Sequence, residues 1–178
     1  HLTGNPEDQL LDFIVWEKRL PRTVLGILTG AGLAAGGCVM QSILRNPLAD
    51  TYTTGISAGA GLGATLAFTV GLSMASGPMS VVINSFVFAL MPMGVVILVS
   101  KLRGGSSIVM VMAGIAMMYL FNAISAVFKI MSDPNALSAL YAWQLGSVAG
   151  GSWDTMALPA IAVTAGTVAM CLLAQRIN

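Results

Sequence analysis

Residues 79–100 read MSVVINSFVFALMPMGVVILVS, and this uncharged stretch decides the fold. Its twelve Leu, Ile, Val and Phe residues, at roughly −0.3 to −0.6 kcal/mol each, favour insertion into a bilayer by on the order of −5 kcal/mol. One Lys at the centre, at about +3 kcal/mol, would remove half of that gain. Because about 20 residues cross the hydrocarbon core, the stretch is predicted to be a transmembrane helix.

Uncharged stretches recur along the whole chain. Charged residues make up 8% of the sequence and hydrophobic residues 56%, whereas an ordinary soluble domain has about 25% charged residues. The pattern predicts an all-α, polytopic transmembrane bundle of about five spans, at residues 23–45, 55–76, 79–100, 106–128 and 156–175. Residues 1–22 are predicted to be an external loop and pre-helix segment, and residues 23–178 to be the transmembrane domain.

One segment between spans has a different character. Residues 132–154 are moderately polar, with Leu137, Leu140 and Tyr141 at helical spacing and Trp143 and Trp153 nearby. Tyr and Trp favour the headgroup level of a membrane, so we expect a short external interfacial helix here. An ordinary external loop is the alternative.

Small and polar residues inside the spans point to packing. Glycines lie four apart at Gly26 and Gly30 and again at Gly59 and Gly63, a spacing that lets helices approach closely in lipid. Three amide side chains also fall within spans, at Gln41, Asn84 and Asn122. For each, an interhelical hydrogen bond is the simpler interpretation, and a place on a water-filled path is the alternative.

The basic residues give a weak signal of orientation. One set of alternate loops holds Arg45, Lys101, Arg103 and Arg176, and the other holds Lys18, Arg19, Arg22 and Lys129. Since short loops count most in the positive-inside rule, we expect the first set to be cytoplasmic. The cluster at 18–22 is then outside, against that rule.

The sequence lacks the residues that several classes of function require. The pattern GxSxG at residues 55–59 would offer Ser57 as a nucleophile, but that use needs a strand-to-helix turn and an activating His. His1 is the single histidine, so no metal site and no cofactor is expected. No GxxxxGK[ST] motif for ATP and no basic cluster for nucleic acid is present.

Motifs spread along the chain resemble one family. They are RLPR at 19–22, MQSILRNPLAD at 40–50, GISAGA at 55–60, AGIA at 113–116, WQLGS at 143–147 and GSW at 151–153. The sequence resembles the FecCD-type permeases of importers for iron-siderophores, haem and cobalamin. Thr51 stands where proline is frequent in that family, and the spans are rich in Met.

The resemblance implies a permease subunit of a type II ATP-binding-cassette importer in the inner (cytoplasmic) membrane. Such a subunit is not an enzyme; its implied partners are a second permease subunit in a homodimer, separate ATPase subunits, an extracytoplasmic substrate-binding protein and membrane lipid. The chain would hold the second to sixth helices of about ten. We expect it to stop before the segment that contacts the ATPase, and therefore not to transport alone.

The resemblance also implies roles for particular residues. Arg19 and Arg22 match the arginines that pair with acidic residues of the binding protein in that family; anchoring of a helix at the lipid headgroups is the alternative. Residues expected near the translocation path are Gln41, Asn46, Ser57, Gly55, Gly59 and Gly61. A secondary transporter or channel remains an alternative, although no ionisable side chain is predicted at membrane depth. An intramembrane hydrolase that uses Ser57 as its nucleophile is a third, disfavoured alternative.

Overall fold

The computed structural model describes residues 6–74 and 79–177. These residues form a π-helix at Ile14–Arg19 and seven α-helices: α1 Pro6–Phe13, α2 Leu20–Leu44, α3 Ile56–Thr69, α4 Ser80–Leu102, α5 Ser107–Ile130, α6 Pro134–Leu145 and α7 Trp153–Ile177. Contacts group the chain into two compact units, one of His1–Val39 with Ser147–Asn178 and one of Met40–Gly146. The predicted helical membrane bundle is confirmed.

Within the described residues, four helices are long and apolar enough to cross a membrane. The candidate spans are Leu10–Leu44, Ser80–Leu102, Ser107–Ile130 and Met156–Leu173. Large apolar side chains are exposed along them, including Leu98, Ile108 and Leu172. Since a soluble protein buries such residues, this surface is one made to face lipid or another apolar surface, and the protein is an integral membrane protein.

The N-terminal segment is helical, so its prediction as a loop was wrong over the described residues, while residues 1–5 lie outside them. Helix α1 begins at Pro6, where the first turn of a helix tolerates proline. The apolar residues that follow, including Leu10, Leu11 and Trp16, extend the helical pattern up to α2. The interspersed polar residues obscured that pattern in the sequence.

The π-helix stands directly before Pro21 and accommodates it. In this turn an N–H pairs with the carbonyl five residues earlier, as Leu20 does with Val15. The next residue, Pro21, has no N–H, so the Trp16 carbonyl has no donor in the same pattern. The Trp153 indole Nε1 of α7 donates to that carbonyl at 2.9 Å. A side chain thus replaces the missing backbone bond and ties the π-helix to α7.

Helix α3 is shorter than the span predicted at 55–76. It ends at Thr69, and Gly71 then takes φ +71° and turns the chain out of the helix. Residues 75–76 of the predicted span lie outside the described residues. At 1.5 Å per residue, the 14 residues of α3 reach about 21 Å, against about 30 Å of hydrocarbon. Because the sequence on either side is also uncharged, it does not reveal that the helix is too short to cross the bilayer alone.

The loop that precedes α3 satisfies much of its own backbone. The Asn46 Oδ1 accepts from the Leu48 N–H at 3.0 Å, and the Asp50 Oδ1 accepts from the Thr53 N–H at 2.8 Å. The Thr54 hydroxyl donates to the Thr51 carbonyl at 2.8 Å. Such local bonds let irregular backbone exist without help from water.

In the unit Met40–Gly146, α3 packs between α4 and α5 at very short range. A Cβ added at Gly59 would lie 2.5 Å from the Phe88 carbonyl oxygen, and one at Gly63 would lie 2.8 Å from that of Asn84. Only glycine permits this approach, as expected for small residues four apart. Leu62 and Phe88 belong to the apolar core beside this contact.

Asn84 links α4 to the end of α3. Its side chain is fully buried, and Nδ2 donates to the carbonyls of Gly63 at 2.6 Å and Leu72 at 3.2 Å. The interhelical hydrogen bond expected of this residue is therefore present. Its Oδ1 and the neighbouring Ser85 hydroxyl have no hydrogen-bond partner among the described residues.

Helix α6 forms within the segment predicted to hold a short helix. Asp133 caps its start by accepting from the Asn135 N–H at 2.9 Å, with Pro134 at the first position. Gly146, at φ +72°, ends it. The helix excludes the loop alternative, and its place at the membrane interface stays a prediction.

Candidate functional site

A cavity of about 520 Å³ lies within the unit Met40–Gly146. Its lining residues come from α3 and the loop before it, from α5 and from α6: Tyr52, Ser57, Ala58, Ala60, Gly61, Met118, Asn122, Ser125, Lys129, Trp143 and Gln144. The volume is within the range of small-molecule pockets, about 300–1,000 Å³. The mixture of apolar and polar lining suits a molecule with both kinds of surface.

Helix α5 supplies a polar stripe to this cavity. Met118, Asn122, Ser125 and Lys129 are spaced by four, three and four residues, which puts them on one face of a helix. Ser125 is only 5% exposed, and its hydroxyl has no hydrogen-bond partner among the described residues. A buried hydroxyl without a partner is uncommon, because its desolvation is not compensated.

Lys129 places a positive charge at the cavity wall, and two side chains of α6 contact it. Its Nζ donates to the Gln144 Oε1 at 3.3 Å and lies 5.2 Å from the centre of the Tyr141 ring. An ammonium group has three N–H donors, and a ring face within about 6 Å attracts it. The side chain therefore lies at the cavity wall with donor capacity left.

Helix α3 presents two faces with different roles. Ser57 and Gly61 line the cavity, and a Cβ added at Gly61 would lie 3.8 Å from the Gln144 Nε2. Gly55 and Gly59 instead face neighbouring helices: a Cβ at Gly55 would lie 3.0 Å from the Gly114 carbonyl oxygen of α5. Gly55 also has φ +78°, which other residues rarely adopt.

The other two residues expected near the path are not among the cavity-lining residues. Gln41 is exposed near the end of α2, and its carbonyl accepts from the Asn46 N–H at 3.2 Å. Asn46 is half-buried and holds the loop through its bond with Leu48. The structure thus brings together Ser57 and Gly61 and leaves Gln41 and Asn46 elsewhere. Their roles in transport stay predictions.

The two arginines expected to dock a binding protein lie where the π-helix joins α2. Arg19 ends the π-helix, and Arg22 follows three residues later on the same side of the helix. Both are exposed. The Thr23 hydroxyl donates to the Arg19 carbonyl at 3.0 Å, which adds a local bond beside Pro21. Their position fits a contact surface, and the contact itself stays a prediction.

Sequence reasoning missed most of the cavity. It had placed Ser57 and Gly61 near the path and noted Asn122 as a polar residue within a span, but it gave no such role to Ser125, Lys129 or Gln144. A signal existed in α5, where Asn122, Ser125 and Lys129 share one helical face. Nothing in the sequence indicates that α6 folds back so that Gln144 meets Lys129.

The fold is that of a helical membrane protein with a cavity between its helices. The sequence pattern of the FecCD transport family matches residues 1–178. The chain belongs to the FecCD transport family.

Individual relatives are described as importer permeases. The chain is 34% identical over 178 residues to a probable iron chelatin transport system permease protein of Helicobacter pylori, covering 100% of this chain and 53% of the relative. It is 33% identical over 172 residues to a cobalamin import system permease protein of Halobacterium salinarum, covering 93% of this chain and 44% of the relative. A hemin transport system permease protein of Yersinia pestis is 30% identical over 162 residues, covering 90% of this chain and 48% of the relative.

A solved structure has the same fold. It is described as an inward-facing conformation of a metal-chelate type ABC transporter, and it matches with a TM-score of 0.84 and 26% identity. The match covers 99% of this chain and 56% of the other. The chain therefore spans about half the length of the relatives it matches.

Proposed function

We propose that this chain forms part of the translocation path of an importer permease for metal chelates. Family membership over residues 1–178 supports the proposal, as do relatives named for iron chelatin, cobalamin and hemin. In this proposal the chain performs no chemistry on its cargo. Separate ATPase subunits hydrolyse ATP, and the permease changes shape in response.

The observation that carries the proposal is the cavity between α3, α5 and α6. A carrier needs a space that a hydrated molecule can enter, and polar side chains within a membrane bundle commonly line such a path. Asn122, Ser125 and Lys129 form a polar line along α5, whereas the exposed surfaces of the long helices are largely apolar.

The proposal extends to partners and orientation. Arg19 and Arg22 would lie on the external face of the inner membrane and pair with acidic residues of a substrate-binding protein. Opposite-sign charges at the rim of an interface mainly speed association. A second permease subunit would complete the path, and the exposed apolar surfaces of this chain leave room for that contact.

Cysteine labelling tests the path. Cys38 and Cys171 are exposed and are first replaced by serine in the assembled transporter. Asn122→Cys places a thiol on the cavity wall, and Ala123→Cys places one on the next residue of α5, which does not line the cavity. A charged, water-soluble thiol reagent should label Asn122→Cys and block ATP-driven uptake into proteoliposomes.

The control variant should stay unlabelled by the same reagent and remain active. Equal labelling of the two cysteines, or labelling of Asn122→Cys without any loss of uptake, would remove the cavity from the path. Uptake that follows an ion gradient without ATPase subunits would favour a secondary transporter instead.

Charge reversal tests the docking role. Arg19→Glu with Arg22→Glu should weaken binding of the binding protein at least about tenfold, mainly through slower association, with a smaller effect at high salt. Arg103→Glu, on the predicted cytoplasmic side, is the matched control and should leave this affinity unchanged. Surface plasmon resonance with the permease in nanodiscs measures both; an unchanged association rate in the double variant would contradict the role.

A further inference from the structure

We propose that Lys129, Ser125 and Gln144 form a binding site for an anionic oxygen of the cargo, such as a carboxylate of a metal chelate. The inference rests on the proposed transport function and names the class of substrate. It begins from the position of Lys129. The lysine ends a charge-free stretch of α5, and its ammonium group is turned to the cavity wall.

Two ordinary explanations for Lys129 leave part of the geometry unexplained. A cation in the last turn of a helix is stabilised by the helix dipole, and a lysine at the end of a span commonly extends toward water. Neither explains why Nζ is held at 3.3 Å from the Gln144 Oε1 and above the Tyr141 ring. Gln144 and Tyr141 hold the charge at one place on the cavity wall.

Besides the Gln144 Oε1, the cavity wall near Lys129 carries groups that can donate hydrogen bonds. With its oxygen occupied by Lys129, Gln144 has its Nε2 donors left, and this nitrogen lies on the side of Gly61. The Ser125 hydroxyl, one turn before Lys129, is buried and has no partner among the described residues. Asn122 adds a second amide one turn further along.

Among the described residues that line the cavity, none is acidic. Asp133, four residues after Lys129, is engaged at the start of α6 with the Asn135 N–H. An ammonium group, a buried hydroxyl and an amide, with no negative partner among the described residues, are together complementary to an anionic oxygen. A ligand oxygen beside Nζ would supply Lys129 with a negative partner.

Two sources could supply such an oxygen: a carboxylate on the cargo or a phosphate of a lipid headgroup. The cargo is the better match, because the volume of about 520 Å³ and the aromatic and apolar lining from Tyr52, Met118 and Trp143 suit a compact molecule with organic surface. The test includes an arm for the lipid.

Radiolabelled ferric citrate is the probe, bound to the assembled transporter in nanodiscs of phosphatidylcholine without ATP. We expect saturable binding that weakens at least about tenfold in Lys129→Gln and stays within about threefold in Lys129→Arg. Ser125→Ala should weaken binding about three- to tenfold without lowering the unfolding midpoint, because the hydroxyl has no protein partner to lose.

Lys18→Gln is the matched control. Lys18 also lies over an aromatic ring, 5.8 Å from the centre of Phe13, but does not line the cavity. Its removal should leave ferric citrate binding unchanged. Equal losses in Lys18→Gln and Lys129→Gln would show a general charge effect and overturn the site, as would unchanged binding in Lys129→Gln.

The lipid arm replaces a third of the phosphatidylcholine by phosphatidylglycerol. Little change in ferric citrate binding supports a cargo site. Displacement that depends on Lys129 would show that a lipid phosphate occupies it, and would overturn the assignment to cargo. Binding of ferric citrate does not require ATP hydrolysis. If the wild-type transporter does not bind ferric citrate, the proposed site is overturned. The proposed transport function is decided separately, by measuring ATP-driven uptake.

Discussion

Replacing Gly59 by alanine tests how closely α3 approaches α4. The added Cβ would lie 2.5 Å from the Phe88 carbonyl oxygen and 2.9 Å from the Pro92 Cγ, whereas ordinary contact begins at 3.4 Å. Both obstacles are stiff, one a backbone oxygen and the other a buried proline ring. The helices must therefore separate by several tenths of an ångström, and overpacking of this kind costs about 1–3 kcal/mol.

A second glycine isolates that cost. Gly94, in α4, has nothing within 4 Å of its added Cβ. Both substitutions gain about 1 kcal/mol of helix propensity, so the difference between the two variants measures the clash alone. We expect Gly59→Ala to be less stable than Gly94→Ala by about 1–3 kcal/mol.

The assay is equilibrium unfolding of the purified permease in mixed detergent micelles, titrated with sodium dodecyl sulfate. Gly26→Ala adds a sharper comparison. Gly26 has the same four-residue spacing to Gly30 as Gly59 has to Gly63, but its added Cβ meets nothing within 4 Å. It should behave like Gly94→Ala. If Gly59→Ala were as stable as these two variants, the close approach of α3 and α4 would be refuted.

Two further predictions use the same unfolding assay. Asn84→Asp exchanges a buried amide donor for a carboxylate that faces the Gly63 carbonyl, and it should lower the free energy of unfolding by at least about 3 kcal/mol. Ser85→Ala removes a buried hydroxyl that has no partner among the described residues, and it should change the free energy of unfolding by less than about 1 kcal/mol. Equal effects would contradict the role of the Asn84 bond. Trp153→Phe removes the donor to the Trp16 carbonyl and should cost about 1 kcal/mol; unchanged stability would show that this bond contributes nothing.

Composition and charge spacing were enough to predict the helical bundle. The reason is physical: a charge inside lipid is so unfavourable that uncharged stretches mark spans directly. The same criterion explains why the span at α3 was predicted too long. Glycines and apolar residues carry no charge, whether the backbone is helical or turned at Gly71. Charge alone reports which residues tolerate lipid, and the helix boundary depends on backbone conformation.

The cavity was only partly predictable. Ser57 and Asn122 stand out as polar residues in apolar stretches, and both line it. Lys129 was counted only as a loop charge, because its meeting with Gln144 depends on the packing of α6 against α3 and α5. Spacing likewise cannot separate Gly59, which contacts α4, from Gly26, whose surroundings are open. Such distinctions belong to tertiary structure.

The shortness of α3 also affects the membrane around this unit. Helices α4 and α5 reach about 35 Å and can hold the surrounding bilayer at full thickness, while α3 reaches about 21 Å. In a bilayer of full thickness, the loop at 45–55 or the turn at Gly71 would lie below the level of the headgroups and would need shelter from acyl chains. The helical part of α3 would then extend through only about two thirds of the hydrocarbon layer.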